Sequence, residues 1–127
     1  MPYHLYLVED HPVVREAYAC LLDGEQDLTL CGQAETAEAA LEALAVRPCD
    51  LVVTDVRLPG MSGIDLLRRI RQRWPRLPVL VLTAQEDFLT QHRAAAEGAS
   101  GFLHKSQVPA HLLDTIRSVL AASRSSA

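Results

Sequence analysis

Five short apolar runs punctuate the chain, and each is followed by a segment of helix length. They are residues 3–9, Leu28–Gly32, a run ending at Asp55, a run that follows Pro78, and Gly101–His104. The intervening segments carry apolar residues at three- and four-residue intervals instead. Val14, Ala17, Leu21 and Leu22 form one such stripe, and Ile64, Leu67, Ile70 and Trp74 form another. Leu112, Leu113, Ile116, Val119 and Leu120 form a third. An Ala/Leu/Glu-rich stretch from Thr36 to Val46 and a weaker one from Phe88 to Glu97 complete the set. Short β-rich runs separated by helix-length segments predict βαβ units and a parallel sheet, with the less apolar Leu28–Gly32 run at an edge.

Punctuation residues support these boundaries. Pro12 falls near the first helical position, where its missing N–H costs nothing. Gly24 is a plausible stop, Thr36 with Glu38 nearby opens the second helix, Pro75 closes the third, and Gly98 caps the fourth. The stretch Ala121–Ala127 is small and polar and reads as a frayed end or the start of a linker. Residues 1–122 are therefore expected to form the domain and 123–127 a tail, with no internal repeat or second domain in these 127 residues.

In a parallel sheet every strand points the same way, so the residues that close the strands meet at one edge. That edge, at the topological switch point, is where open α/β sheets bind ligands. Four polar signals close apolar runs here: Glu9-Asp10, Asp55, Thr83 and Lys105. Separately each has an ordinary explanation. Adjacent carboxylates cap helices, an Asp before Pro59-Gly60 is a turn residue, Thr caps helices, and Lys is commonly just solvated. Together they are harder to dismiss, because two unit charges about 4 Å apart repel by roughly 4 kcal/mol at an effective dielectric near 20. Three gathered carboxylates need a counter-charge, which Lys105 supplies in part and a hard divalent cation would supply further. Mg²⁺ suits a site of few carboxylates, water and phosphate oxygens. A hydroxyl and an ammonium beside them can bind phosphoryl oxygens, and phosphoryl transfer needs positioning and charge neutralisation above all.

Composition narrows the remaining classes. The length suits one small domain that buries about two-thirds of its unfolded surface. A net charge of −4 offers no electrostatic footprint for nucleic acid. No apolar stretch reaches membrane-spanning length and the N-terminus lacks a signal-peptide pattern, so a cytoplasmic location and no membrane partner are expected. Cys20, Cys31 and Cys49 include no CxxC pair and read as small buried apolar residues. The five histidines show no metal-ligand spacing, and His11 reads as a surface or helix-start residue.

These motifs, in this order, resemble the receiver domain of bacterial two-component response regulators over about residues 3 to 122. The matching text is Val8-Glu9-Asp10-His11-Pro12, Thr54-Asp55-Val56-Arg57-Leu58-Pro59-Gly60-Met61-Ser62-Gly63, Leu82-Thr83-Ala84, and Gly98-Ala99-Ser100-Gly101-Phe102-Leu103-His104-Lys105-Ser106. The resemblance implies an α/β, flavodoxin-like (βα)5 three-layer sandwich whose parallel five-stranded sheet runs in the order 2-1-3-4-5. It implies that Asp55 accepts a phosphoryl group from a histidine kinase or phosphotransfer protein. Glu9 and Asp10 would hold Mg²⁺ with Asp55 and the backbone carbonyl of Arg57. Thr83 and Lys105 would bind the phosphoryl oxygens, and Phe102 would sit at the aromatic switch position, with Thr83 and Phe102 together forming the switch. Such a chain is a signalling phosphoacceptor that assists its own phosphorylation and dephosphorylation, not an enzyme acting on other substrates.

The Asp10-His11-Pro12-Val13-Val14-Arg15-Glu16 and Gly98–Ser106 segments are most similar to the branch with a C-terminal helix-turn-helix output domain. DNA would then be reached only through that output domain, and a homodimer is a possible partner state. The chain is either a fragment of such a regulator or a stand-alone receiver. Two details depart from the common pattern. Phe102 fits the switch position without offering a hydroxyl, and Ser106 stands where many receivers have the proline of a cis-proline loop. Arg57, two residues beyond the acceptor, is placed to influence water access to the phosphoryl group. It also argues against a haloacid-dehalogenase-type phosphatase, which needs a second acid there. A flavodoxin-like nucleotide module would want a Gly/Ser/Thr phosphate loop where this chain has Glu9-Asp10-His11-Pro12. A receiver-shaped interaction module that is never phosphorylated is the remaining alternative.

Overall fold

The computed structural model describes residues 2–84 and 88–125. Strands and helices alternate throughout: β1 Tyr3–Val8, α1 Pro12–Asp23, β2 Leu28–Ala34, α2 Ala37–Val46, β3 Leu51–Asp55, α3 Gly63–Arg73, β4 Val79–Thr83, α4 Phe88–Ala96, β5 Gly101–His104 and α5 Leu112–Ser125. All four strand pairings are parallel, in the order β2-β1-β3-β4-β5. The expected α/β architecture and strand order are both present, and the Leu28 strand lies at an edge.

Strand alternation sorts the core into two layers. Leu5 and Leu7 of β1, Leu51 and Val53 of β3, and Leu80 and Leu82 of β4 pack with Tyr18 and Leu22 of α1 and with Leu112 and Ile116 of α5. Their neighbours Tyr6, Val8, Val52, Val79 and Val81 pack on the other face with Ala37 and Ala40 of α2, Leu67 and Ile70 of α3, and Ala94 of α4. β3 and β4 are buried along their whole length, which is why they read as unbroken apolar runs.

Several local expectations need correction. The inward stripe of α1 uses Tyr18 where the sequence reading placed Ala17, because Val14, Tyr18 and Leu22 repeat at four-residue spacing and Ala17 faces solvent. β1 ends at Val8, so Glu9 stands just past it. α4 ends at Ala96, one residue short of Glu97, with Gly98 in the left-handed region at φ +94° as its stop. α5 continues to Ser125, so residues 121–125 of the expected tail are helical, while residues 126 and 127 lie outside the described residues. Small polar residues are compatible with a helix that Leu112, Ile116 and Leu120 anchor on the sheet. Cys20 is exposed, and Cys31 and Cys49 are half-buried, so none is the fully buried apolar residue expected. The Lys105–Ser106 bond is trans, whereas the Val108–Pro109 bond is cis.

Two helix starts are fixed by side chains. Thr36 Oγ1 accepts the backbone N–H of Ala39 at 3.1 Å. Ser62 and Asp65 form a reciprocal capping box, with Ser62 Oγ accepting the Asp65 N–H at 3.1 Å and Asp65 Oδ2 accepting the Ser62 N–H at 3.3 Å. Gly63 follows at once, and a Cβ there would lie 1.9 Å from the Asp55 carbonyl oxygen. Only glycine lets α3 start so close against the end of β3.

Candidate functional site

The polar signals at the strand ends do converge. Alternation carries Glu9 onto the face of Leu5 and Leu7, and Asp55 onto the face of Leu51 and Val53. Lys105 follows Leu103 by the same parity. Lys105 Nζ lies 2.8 Å from Asp55 Oδ2 and 3.1 Å from Glu9 Oε1, so the ammonium bridges the two carboxylates. Glu9 and Asp55 are 1% and 6% exposed, which makes this a nearly buried ion triad with Lys105 as its partly open end. Asp10 is exposed, yet it offers a carboxylate oxygen within 4.8 Å of those of Glu9 and Asp55.

Backbone donors complete the arrangement. The His11 N–H donates to Glu9 Oε2 at 3.1 Å, and the Arg57 N–H approaches Asp55 Oδ1 at 3.4 Å. His11 is thus the N-cap residue of α1, and its main chain serves the acidic pair. Arg15, one turn into α1, donates from Nη1 to the Glu9 carbonyl at 3.0 Å and pairs with Glu35 at 3.3 Å. The sequence reading did not single out Arg15, and its signal, a cation one helical turn past the acidic pair, is a weak one.

Burial and charge act in opposition here. Desolvation raises the Glu9 pKa, and the hydrogen bonds from His11 and Lys105 offset it only in part. Burial works against the Lys105 ammonium, but the hydrogen bonds and charges of Asp55 and Glu9 outweigh it and hold the group above its ordinary value. Tyr18, buried beneath the site, has its phenol pushed up chiefly by desolvation.

Thr83 and Phe102 belong to the opposite parity. Thr83, 3% exposed, continues the face of Val79 and Val81, and it is the register partner of His104. Phe102, the partner of Val81, is half-buried and packs on that same face. Thr83 and Phe102 are therefore diagonal neighbours on adjacent strands.

Glu9, Asp10, His11, Val14, Asp55, Arg57, Leu58, Pro59 and Lys105 line one open cleft at this edge. Its donors are hard oxygen atoms with a net negative charge, which fits a hard divalent cation better than a soft metal. Octahedral Mg²⁺ holds its ligands at about 2.0–2.1 Å. Glu9, Asp10 and Asp55 each offer an oxygen within 4.8 Å of the others, so these three carboxylates would hold such an ion.

The family model described as the response regulator receiver domain matches residues 5–117. The chain belongs to this family. It is 37% identical over 117 residues to the transcriptional activator protein ExaE of Pseudomonas putida, covering 92% of this chain and 55% of that protein. It is 40% identical over 102 residues to the DNA-binding transcriptional activator DevR/DosR of Mycobacterium tuberculosis, covering 80% of this chain and 46% of that one. The chain thus spans about half the length of these curated relatives. Among solved structures, a LuxR-family two-component response regulator from an Aurantimonas species superimposes with a TM-score of 0.92 at 34% identity, covering 96% of this chain and 87% of that one. The receiver is the signal-accepting part of a two-component system, controlled by phosphorylation, and transcription regulators are prominent among its relatives. No helix among the described residues is long and apolar enough to cross a membrane.

Proposed function

We propose that Asp55 is the phosphoacceptor of a cytoplasmic switch, phosphorylated by a histidine kinase or phosphotransfer protein with Mg²⁺ bound by Glu9, Asp10, Asp55 and the Arg57 carbonyl. The observation that supports it most is the nearly buried Asp55 at the end of the central strand, 2.8 Å from Lys105 Nζ and within 4.8 Å of two further carboxylates. A carboxylate so placed is poised but charge-hindered. When bound, the metal neutralises repulsion between the acids and the incoming phosphoryl oxygens.

The transfer needs few covalent changes. An Asp55 oxygen attacks phosphorus, the P–N bond to the donor histidine breaks, and the electron pair of that bond leaves with the imidazole. The product is an acyl phosphate on Asp55. Lys105, already within reach of Asp55, swings to an oxygen of the new group as a point-charge donor. Thr83 donates its hydroxyl to another. That bond draws the end of β4 toward Asp55 and opens room beside β5, which Phe102 fills by turning inward. The result is a population shift, and it requires that the two arrangements differ by only a few kcal/mol. The surface of α4, β5 and α5 changes shape, offering a second copy or a DNA-binding output segment something to read.

The test is incubation with acetyl phosphate and Mg²⁺, followed by intact-mass measurement. One added phosphoryl group is expected in the wild type and none in Asp55→Asn. Equal labelling of the variant puts the phosphoryl group on another residue and refutes the assignment, whereas an unlabelled wild type returns the chain to the class of unphosphorylated interaction modules.

A further inference from the structure

Lys105 is held from both sides by residues that hold each other. His104, the last residue of β5, has its ring Nδ1 3.1 Å from the Ser106 backbone nitrogen. Its own backbone N–H donates to Gln107 Oε1 at 3.0 Å, which completes a reciprocal capping box. The Ser106 hydroxyl lies 2.6 Å from the same ring nitrogen. Val108 donates its N–H to the Lys105 carbonyl at 3.1 Å and closes a three-residue 3-10 turn, Lys105–Gln107. A backbone N–H can only donate, so His104 Nδ1 is the acceptor in this bond.

The consequence reaches the site through the lysine stem. A four-carbon side chain is flexible, so where its ammonium can settle depends on how firmly its own backbone is held. Two bonds span Lys105: the Ser106 N–H after it donates back to His104 Nδ1, and the His104 N–H before it donates forward to Gln107 Oε1. Ser106 occupies the position where many receivers carry proline. Proline would stiffen the turn through its fixed φ but would have no N–H to give. In this chain the same turn is stiffened by hydrogen bonds, and those bonds need an acceptor side chain at 104 and an N–H at 106.

We propose that His104 is a positioning residue for phosphorylation, acting with Ser106 and Gln107 to fix the turn that aims Lys105 at Asp55. This rests on the reading of Lys105 as a phosphoryl-binding residue. The polar atom of an Asn side chain branches where Nδ1 does and also accepts from N–H groups, so His104→Asn keeps the cap while His104→Ala removes it.

The experiment measures the rate of phosphorylation by acetyl phosphate with saturating Mg²⁺, alongside thermal unfolding of each variant. His104→Ala should be slower by about fivefold, the size expected when one side-chain cap is lost. His104→Asn should recover to within about twofold of wild type. Gln107→Ala, which opens the other half of the box from an exposed position, should slow the reaction by about two- to threefold. In a Lys105→Ala background His104→Ala should add nothing, because its effect passes through the lysine. A wild-type rate in His104→Ala, an uncorrected loss in His104→Asn, or an undiminished His104 effect without Lys105 each overturns the proposal. If Lys105→Ala itself reacts at the wild-type rate, the role of Lys105 falls, and this inference with it. If Lys105→Ala is slow while His104→Ala and Gln107→Ala are not, the inference alone falls.

Discussion

Replacing Lys105 by methionine isolates the charge that balances this site, because methionine keeps most of the stem and deletes the ammonium. Glu9 and Asp55 then face each other nearly buried, with carboxylate oxygens no more than 4.8 Å apart. At an effective dielectric near 20 that repulsion is at least about 3.5 kcal/mol. Each lost attraction, at 2.8 and 3.1 Å, has a gross size of about 5 to 6 kcal/mol on the same scale, most of it offset by the desolvation of the ions. Removing one partner from a buried ion pair usually costs 3–5 kcal/mol, roughly, and the 23% exposure of the Lys105 side chain places this case at the low end, about 3 kcal/mol.

The loss must depend on pH in a definite direction. Glu9 has a raised pKa in the folded chain, chiefly through burial, and losing the ammonium raises it further. A carboxyl whose folded pKa lies above its unfolded one favours the fold while protonated, and that benefit disappears as pH rises through the folded value. Lys105→Met should therefore approach wild-type stability near the ordinary glutamate range and fall short of it by the full amount above the raised Glu9 value. Urea unfolding in EDTA, followed by circular dichroism at several pH values, measures this. Mg²⁺ should restore the variant more steeply than it stabilises the wild type, since the ion substitutes for the missing ammonium; at a hundredfold excess over Kd, one bound ion contributes about 2.7 kcal/mol. Equal urea midpoints at pH 8 would show that Lys105 is not the counter-charge of this pair.

Asp10→Asn should weaken Mg²⁺ binding more than Glu9→Gln, because both Glu9 oxygens already have donors while Asp10 is exposed and open to an ion; isothermal titration compares the two. Gly63→Ala should destabilise by more than about 3 kcal/mol and disturb the site, since its Cβ would fall 1.9 Å from the Asp55 carbonyl oxygen; a urea midpoint near that of the wild type contradicts this close approach. Thr83→Ala should accept the phosphoryl group yet lose the accompanying change in self-association or in the environment of position 102. An unchanged response, seen by analytical centrifugation or by a reporter at that position, argues against coupling through Thr83.

The sheet was legible because β1, β3 and β4 are apolar on both faces and helices cover both sides. The convergence of Glu9, Asp10, Asp55 and Lys105 was legible for a related reason. In a parallel sheet a polar residue that ends an apolar run can only be at one edge. What the residue pattern could not convey is how that edge is held. The capping box at Ser62 and Asp65 had a readable S-x-x-D spacing, but the box at His104 had none, since histidine is not an ordinary cap and its acceptor role depends on tautomer and rotamer. The Ala17 error arose from a stripe that several three- and four-residue spacings satisfy equally well until packing against β1 chooses Tyr18. The end of α5 was misplaced because Ala and Ser permit helix and coil alike, and the helix that Leu112, Ile116 and Leu120 anchor on the sheet runs on through them.

Parity explains how a phosphoryl group at this edge can be read elsewhere. Glu9, Asp55 and Lys105 extend the face covered by α1 and α5, whereas Thr83 and Phe102 extend the face covered by α2, α3 and α4. A ligand confined to the first face would leave the second unmoved. On the mechanism proposed above, a phosphoryl group on Asp55 would rise beyond the strand ends and meet both, through Lys105 on one side and Thr83 on the other. On the second face, α3 grips the far end of α4: Arg68 pairs with Glu97 at 3.2 Å, and Arg71 donates to the Gly98 carbonyl at 2.9 Å and to Ser100 Oγ at 3.3 Å. Burial lowers the Arg71 pKa, as expected of a guanidinium bonded to carbonyls and a hydroxyl. With these contacts at its C-terminal end, α4 would, on the proposed coupling, answer a pull on Thr83 at its other end, where Phe88 and Leu89 stand 79% and 69% exposed. If the proposed coupling through Thr83 holds, those two side chains are on the part of the surface that phosphorylation would move.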